Sequence, residues 1–340
     1  NGSRGDVQPY LALGVGLQKA GYAVKLASAT MYESWIRGYG LDFGPISINP
    51  QKLIEHPDFK KYRDNAFRLF LAMPKLIGPL FAKLMDDMWT ESQGADIIIM
   101  TPIFYGAYSS AEKLGVPTLI AFPFPVYPTN EFPNFSIPSD RSFGKAINRF
   151  GGIPIEILLN FMIGRPMKKW RKNKLGLPPF PFGGPMASMR KQKIPILGAY
   201  SPHFIPPPKD WPSHCHTTGY WFLDAPEGWE APNDLIEFLA LTPKPLSIGF
   251  GSMHATKPEK TIKIVLEALE MTKQRAVLIT EEKNLGEIKL PESVYQIDNV
   301  PHDWLFPRVS AVIHHGGAGT TGAGLRAGVP SILIPFGVDQ

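Results

Sequence analysis

Two hydrophobic periods alternate along the chain, and their alternation outlines the fold. Tyr10, Leu11, Leu13 and Leu17 recur at helical spacing up to Gly21, and a β-prone run, Val24 to Ser28, follows. Asp96 to Met100, with Ile97, Ile98 and Ile99 in succession, reads as a strand buried on both faces. A helix over Tyr108 to Leu114 and a second buried strand, Thr118 to Phe122, complete a strand–helix–strand unit. A second series begins at Leu246 to Phe250. It continues through a helix Glu259 to Met271, strands Ala276 to Ile279, Val294 to Ile297 and Ala311 to His314, a helix Thr320 to Ala327, and Ser331 to Pro335. Pro-rich connectors recur at Pro178 to Pro185, Pro206 to Pro208 and Pro226 to Pro232. The pattern predicts an α/β protein of two Rossmann-like domains, residues 1–224 and 225–340.

One segment departs from the strand–helix rhythm. Ile153 to Trp170 is apolar at first (Ile157, Leu158, Leu159, Phe161, Met162) and leads into Lys168, Lys169, Arg171, Lys172 and Lys174. It reads either as a core helix with a basic last turn, which suits the helix dipole, or as a surface helix dipping into a membrane interface. No stretch reaches the roughly 18 consecutive apolar residues of a membrane span.

Composition narrows the picture only a little. The 340 residues are 44% hydrophobic and 19% charged, with a formal net charge of +5. Basic residues are not interleaved with aromatics, so nucleic acid is not demanded; anionic lipid or a diphosphate suits the charge as well. Cys215 is the single cysteine, which excludes a disulfide framework and points to a reducing, cytoplasmic compartment.

Candidate chemistry concentrates near the C-terminus, in Ala311-Val-Ile-His-His-Gly-Gly-Ala-Gly-Thr-Thr321. A strand ends in two histidines, and a Gly-rich turn opens a helix whose N-terminus presents amides to an anion. His315 can add a donor to a phosphate oxygen, and Thr320 and Thr321 stand where capping hydroxyls belong. Gly317-x-Gly319-x-x-Gly322, with Asp339 downstream, also fits a dinucleotide fingerprint, but the paired histidines have no task there. Elsewhere, Asp86-Asp87 reads as a solvated helix face, and His203, His214 and His216 form no credible metal set. No metal or other cofactor is expected. Phe122, Phe124, Tyr127, Phe132 and Phe135 follow a buried strand, where open sheets bind ligands. Phe124, Tyr127 and Phe132 are the candidate lining of an apolar acceptor pocket.

Residues 311–340 resemble the donor-binding signature of inverting nucleoside-diphosphate glycosyltransferases of the two-Rossmann (GT-B) fold. The sterol 3-β-glucosyltransferase and antibiotic glycosyltransferase branch is the one they look most like. Gly2-Ser-Arg-Gly-Asp-Val-Gln-Pro9 is similar to that branch's opening loop, Thr218-Gly-Tyr-Trp-Phe-Leu-Asp224 to the segment before its interdomain crossing, and Gly249-Phe-Gly-Ser-Met253 to its first C-domain loop. The resemblance implies two domains facing each other across a cleft. It implies that His315, Gly317, Gly319 and Thr320 hold the diphosphate, with Ser252 reaching the distal phosphate. Val300 would meet the uracil through its backbone, with His302 near the base or ribose, and Asp339 and Gln340 would bind the sugar hydroxyls. It selects Asp6, flanked by Ser3, Arg4 and Gly5 in the active-site loop, as the base that deprotonates the acceptor; plant members of the wider family place His there. The alternative role for Asp6 is an N-cap of a helix starting near Val7 or Gln8.

These expectations give a UDP-sugar donor, glucose by preference, and a lipophilic hydroxyl acceptor of sterol type. They also allow a peripheral membrane surface as partner. Competing readings are a glycosyltransferase acting on a polyketide, glycopeptide or hydroxy-fatty acid, a sugar-nucleotide epimerase on the same scaffold, and a non-enzymatic sugar-nucleotide binder. The fold is expected to continue beyond both ends, by one short apolar strand upstream and ~50–80 residues downstream.

Overall fold

The computed structural model describes residues 4–47, 80–102, 104–134, 144–251, 258–335 and 340. The chain divides into two compact units, Asn1–Gly2 with Tyr10–Gly219, and Ser3–Pro9 with Tyr220–Gln340. The junction at Gly219 and Tyr220 falls a few residues before Asp224, and the chain's first turn groups with the second unit.

Helix α1 (Arg4–Lys19) contributes to the first unit from Tyr10 onward; its Leu11 is fully buried and its Tyr10 hydroxyl donates to the Ala121 carbonyl at 2.6 Å. Strand β1 (Lys25–Ala29), helix α2 (Glu33–Gly38) and β2 (Asp42–Ile46) follow, and β1 and β2 pair in parallel. Helix α3 covers residues 80–91. Then come β3 (Ile98–Met100), α4 (Tyr105–Leu114), β4 (Thr118–Phe122), α5 (Lys145–Phe150), α6 (Ile153–Trp170), α7 (Gly184–Lys191), β5 (Ile196–Gly198) and β6 (Cys215–Thr217). Strands β3 to β6 form one parallel sheet in sequence order, separate from the β1–β2 pair. The predicted strand at Asp96 to Met100 is shorter than expected, because Ile97 points outward and is 53% exposed. The short strands β2, β5 and β6 carry too few apolar residues to stand out from their connectors.

One buried cation organises this unit's core. Arg171, 2% exposed, sits at the start of a π-helical turn, Arg171–Leu175, that continues α6. Its Nη1 and Nη2 grip the Glu112 carboxylate at 2.9 and 3.1 Å, Nη1 also reaches the Ser109 hydroxyl, and Nε donates to the Pro178 carbonyl at 2.8 Å. The guanidinium lies over the Phe180 ring, 3.9 Å from its centroid. So Arg171 does not belong to the solvated basic run in which its neighbours stand. The wider turn points it inward while Lys172 and Lys174 stay exposed. Around it pack Met85, Met100, Tyr108, Ile163, Met167 and Trp170. Asp86 and Asp87 are likewise structural and not merely solvated. Asp86 accepts the Trp170 indole N–H at 2.8 Å, and Asp87 accepts the Ser47 amide at 2.7 Å.

The second unit contains α8 (Asn233–Ala240), β7 (Leu246–Gly249), α9 (Pro258–Thr272), β8 (Ala276–Ile279), β9 (Val294–Ile297), α10 (His302–Leu305), β10 (Val312–His314), α11 (Ala318–Ala327) and β11 (Ser331–Leu333). The sheet order is β11-β10-β7-β8-β9, and every pairing is parallel. Alternation along β8 serves two cores. Val277 joins Leu235, Leu305 and Phe306 on one face, while Ala276 and Leu278 join Ile248, Ile262 and Leu269 on the other. The sheet is thus covered on both sides, as parallel sheets require.

Removing the Arg171 guanidinium leaves the Glu112 carboxylate without its bidentate partner and the Ser109 hydroxyl and Pro178 carbonyl without their donor. Arg171→Ala is expected to lower stability by about 3 kcal/mol, measured by urea denaturation; a change within experimental error would show that the core does not depend on this contact.

Candidate functional site

The carboxyl ends of β7 and β10 set the site of the second unit. The two strands are in register with His314 opposite Gly249, so the loop after β7 and the turn after β10 leave the sheet side by side. His314 is fully buried, and its Nδ1 accepts the Gly316 amide at 3.1 Å, which leaves its proton on Nε2. The next residue turns the other way, and the two imidazoles stand 6.5 Å apart and almost perpendicular. A Cβ added at Gly251 would come 3.1 Å from the His315 ring, and one at Gly317 would come 2.6 Å from its Nε2. The His315 imidazole therefore lies between the β7 loop and the Gly-rich turn.

Gly316 has φ +92°, a backbone state that side chains resist, and a Cβ there would meet the Gln340 carbonyl at 3.2 Å. Gln340 thus sits against the turn. Helix α11 begins one residue after Gly317, its N-cap, and among the described residues no side chain caps it. Its first backbone bond runs from the Thr321 amide to the Gly317 carbonyl at 2.9 Å, so the amides of Ala318, Gly319 and Thr320 have no partner within the helix. This corrects the expected capping role of Thr320 and Thr321, which stand inside the first turn. Gly319 is exposed with nothing within 4 Å of an added Cβ. Gly322, by contrast, leaves room for the Tyr220 ring, 2.6 Å from where its Cβ would be, so the third glycine of the pattern serves packing.

His302 stacks on Phe306 with ring centroids 4.4 Å apart. Burial pushes its pKa down to about 4, with nearby His314 and Arg4 adding to the effect. Burial, reinforced by His315, holds His314 at about 4 as well. Arg4 and three imidazoles thus gather around one region, with the buried pair neutral. The Val300 side chain belongs to the hydrophobic core, 3% exposed. Asp6 is exposed within the first turn of α1, which starts at Arg4; the N-cap of a helix beginning near Val7 or Gln8 is therefore not its position. Arg4 and Gly5 stand in that same turn. Ser3, Ser252 and Asp339 lie outside the described residues.

The first unit holds a separate small apolar depression of about 20 Å³, lined mainly by Ile120, Val126, Tyr127, Met186, Met189 and Ile196, with Arg190 and His214 as its polar members. Of the three aromatics expected to line an acceptor pocket, Tyr127 does so. Phe124 packs edge-on against Phe122 at 4.3 Å, and Phe132 is half-buried in the following loop. Arg190 is held by a bidentate bond to Glu156 at 2.6 and 2.7 Å. Asp210 ties the loop after Tyr127 by accepting from the Thr129 hydroxyl at 2.5 Å and from the Asn130 amide and Arg149, at 2.8 and 3.0 Å. Arg190, Glu156 and Asp210 carry no motif, and His314, although within the Ala311 to Thr321 run, is assigned no separate role there. Only the inward phase of β10, shared by Val312 and His314, hinted at one of them. The Cys215 thiol is pushed up to about 12 by burial. Among the described residues no group of three His, Cys, Asp or Glu is placed to hold a metal.

Residues 1–133 match the glycosyltransferase family 28 N-terminal domain, and residues 263–340 match the C-terminal domain of proteins like erythromycin biosynthesis protein CIII. The two matches follow one another in that order, and the fold is that of GT-B glycosyltransferases. It is 36% identical over 359 residues to a sterol 3-beta-glucosyltransferase of Leptosphaeria maculans, with all of this chain aligned. The chain spans 24% of that relative's length. Among solved structures it is similar to the glycosyltransferase SnogD of Streptomyces nogalater, with 20% identity, a TM-score of 0.62, and 99% of this chain and 80% of that one covered. SsfS6 of Streptomyces sp. SF2575, complexed with thymidine diphosphate, matches at TM-score 0.57 and 19% identity, covering 99% and 80%.

The buried imidazoles give the second unit a pH dependence. His314 has a pKa near 4 when folded against 6.5 in an unfolded chain. Between those values only the unfolded chain binds the proton, so stability is full above pH 6.5 and falls as pH drops toward 4. The loss is on the order of 3 kcal/mol for His314. Denaturation followed by Trp229 and Trp304 fluorescence should show it, and a flat profile across that window would contradict neutral burial.

Proposed function

We propose that this chain transfers a hexose, glucose by preference, from a UDP-sugar to the hydroxyl of a sterol-like acceptor. The observation that carries the reading is the convergence of His315, the first-turn amides of α11, which have no partner within the helix, and Gln340 on one Gly-rich turn. A diphosphate leaving group gains negative charge as its bond to the anomeric carbon breaks. A helix N-terminus and an imidazole donor are suited to that charge without a metal. The exposed Gly319 lets a phosphate approach the backbone closely. Gln340 is suited to hydrogen-bond the sugar hydroxyls, together with Asp339. Ser252 is assigned the distal phosphate, and the backbone of Val300 with His302 the nucleoside.

Asp6 is the assigned general base. Its carboxylate takes the acceptor hydroxyl's proton as that oxygen attacks the anomeric carbon from the face opposite the diphosphate, and UDP departs with the bonding electrons. One such displacement inverts the anomeric centre and converts an α-linked donor into a β-glycoside. Support for the acceptor class comes from the relatives' name. Support for a nucleoside diphosphate comes from the ligand of SsfS6. The match of residues 263–340 to proteins like erythromycin biosynthesis protein CIII favours a second reading, a natural-product acceptor such as a polyketide, and the same assay separates the two.

Incubation with labelled UDP-glucose and cholesterol, a flavonoid, or no acceptor is expected to release UDP with the sterol alone and to give the β-glucoside. Asp6→Asn should lower turnover by about 1,000-fold or more with little change in UDP affinity, and chelation with EDTA should leave the rate unchanged. Conversion of the donor sugar without acceptor would instead identify an epimerase, and transfer to the flavonoid alone would favour the second reading.

A further inference from the structure

Helix α6 presents an exposed face that changes character halfway along its length. Ile153, Ile157 and Phe161 recur every fourth residue, and the same stripe continues through Arg165, Lys168 and Lys172. Ile157 is 63% exposed and Phe161 58%, although both are the kind of side chain a folded core takes up. The preceding helix α5 adds Phe150, 56% exposed, at the apolar end. Phe182, fully exposed, stands beside it, since the Asn160 side chain donates to the Gly183 carbonyl at 3.0 Å. The apolar end is rigidly carried. Asn148 and Arg149 tie α5 to the Asn130 carbonyl and the Asp210 carboxylate.

The charges on this face have one sign. Glu156, the single acidic residue of α6, is turned to Arg190. Lys168, Lys169 and Lys172 are exposed, while Lys174 lies 3.8 Å from Asp86 and is partly offset. The run Lys145–Leu175 is long and apolar enough by composition to cross a membrane. It cannot be surrounded by lipid, however, because Ile163, Met167 and Trp170 are built into the first unit's core.

We propose that this face seats the chain on an anionic lipid bilayer, with α6 entering obliquely, its N-terminal end down. The apolar half, residues 153–161, is about 13 Å long, which at an oblique angle matches the 5–10 Å to which interfacial helices sink. The basic half then lies at headgroup level, where each cation raises affinity about five-fold. The docking itself does not depend on the transferase reading.

Flotation of the full chain with phosphatidylcholine vesicles, with and without about one-third phosphatidylserine, tests the inference. Binding is expected to the anionic vesicles and to be about a hundred-fold weaker without them. The double variant Ile157→Glu with Phe161→Glu, and the triple variant Lys168→Glu, Lys169→Glu, Lys172→Glu, should each lose binding by about ten-fold or more while unfolding at the parent's temperature. Phe161→Trp should keep binding and shift its emission to the blue on vesicles. A parent that does not float, or correctly folded variants that float as it does, would overturn the proposal. So would a concentration-dependent dimer abolished by the Glu pair, which would make the face an interface between copies.

Discussion

Parallel pairing governs what this chain can do. Among the described residues every ladder in both units runs parallel, so the strands of a sheet end on the same edge, and the segments leaving them emerge together. In the second unit that edge brings Gly251, His315 and Gly317 within van der Waals distance, although more than 60 residues separate the first from the others. The two histidines divide the work according to the phase of β10. His314 points into the interior and fixes the Gly316 amide; His315, one residue later, is left to face the turn. A strand shifted by one residue would exchange the roles and put the other imidazole against the turn.

The first unit solves a different problem, that of carrying a helix with two incompatible faces. One side of α6 supplies Ile163, Met167 and Trp170 to the core, and its C-terminal continuation supplies Arg171. The other side is apolar where it is not basic. The π-helical turn is what allows this, since the extra backbone per turn swings Arg171 inward between neighbours that remain outside. Core anchoring and surface chemistry are therefore built from adjacent residues of one segment.

Elements with strong periodicity were legible before any coordinates. Thr118–Phe122, Ala276–Ile279, Val294–Ile297 and Ile153–Trp170 appear at the predicted bounds, because continuous apolar or amphipathic runs leave little choice of partner. The three-residue strands Ile196–Gly198 and Cys215–Thr217 were not, since they exist through pairing with a neighbour that the local sequence does not describe. The Gly-rich turn is recognisable from its composition, yet α11 starts at Ala318, two residues before the predicted Thr320. Gly317 caps the helix through its backbone and leaves Thr320 and Thr321 inside it. Ion pairs such as Arg190–Glu156 and Arg171–Glu112 join positions 34 and 59 residues apart, and nothing in either local stretch marks the match.

The lone thiol, half-hidden in a strand of the first unit and held protonated by its surroundings, has a practical consequence. Only a thiolate attacks an electrophile, and at neutral pH this one supplies almost none. A cysteine introduced at an exposed position would therefore be the single reactive sulfur on the molecule. Spectroscopic reporters could be attached one site at a time to the intact wild-type background, with no need to remove a native residue first.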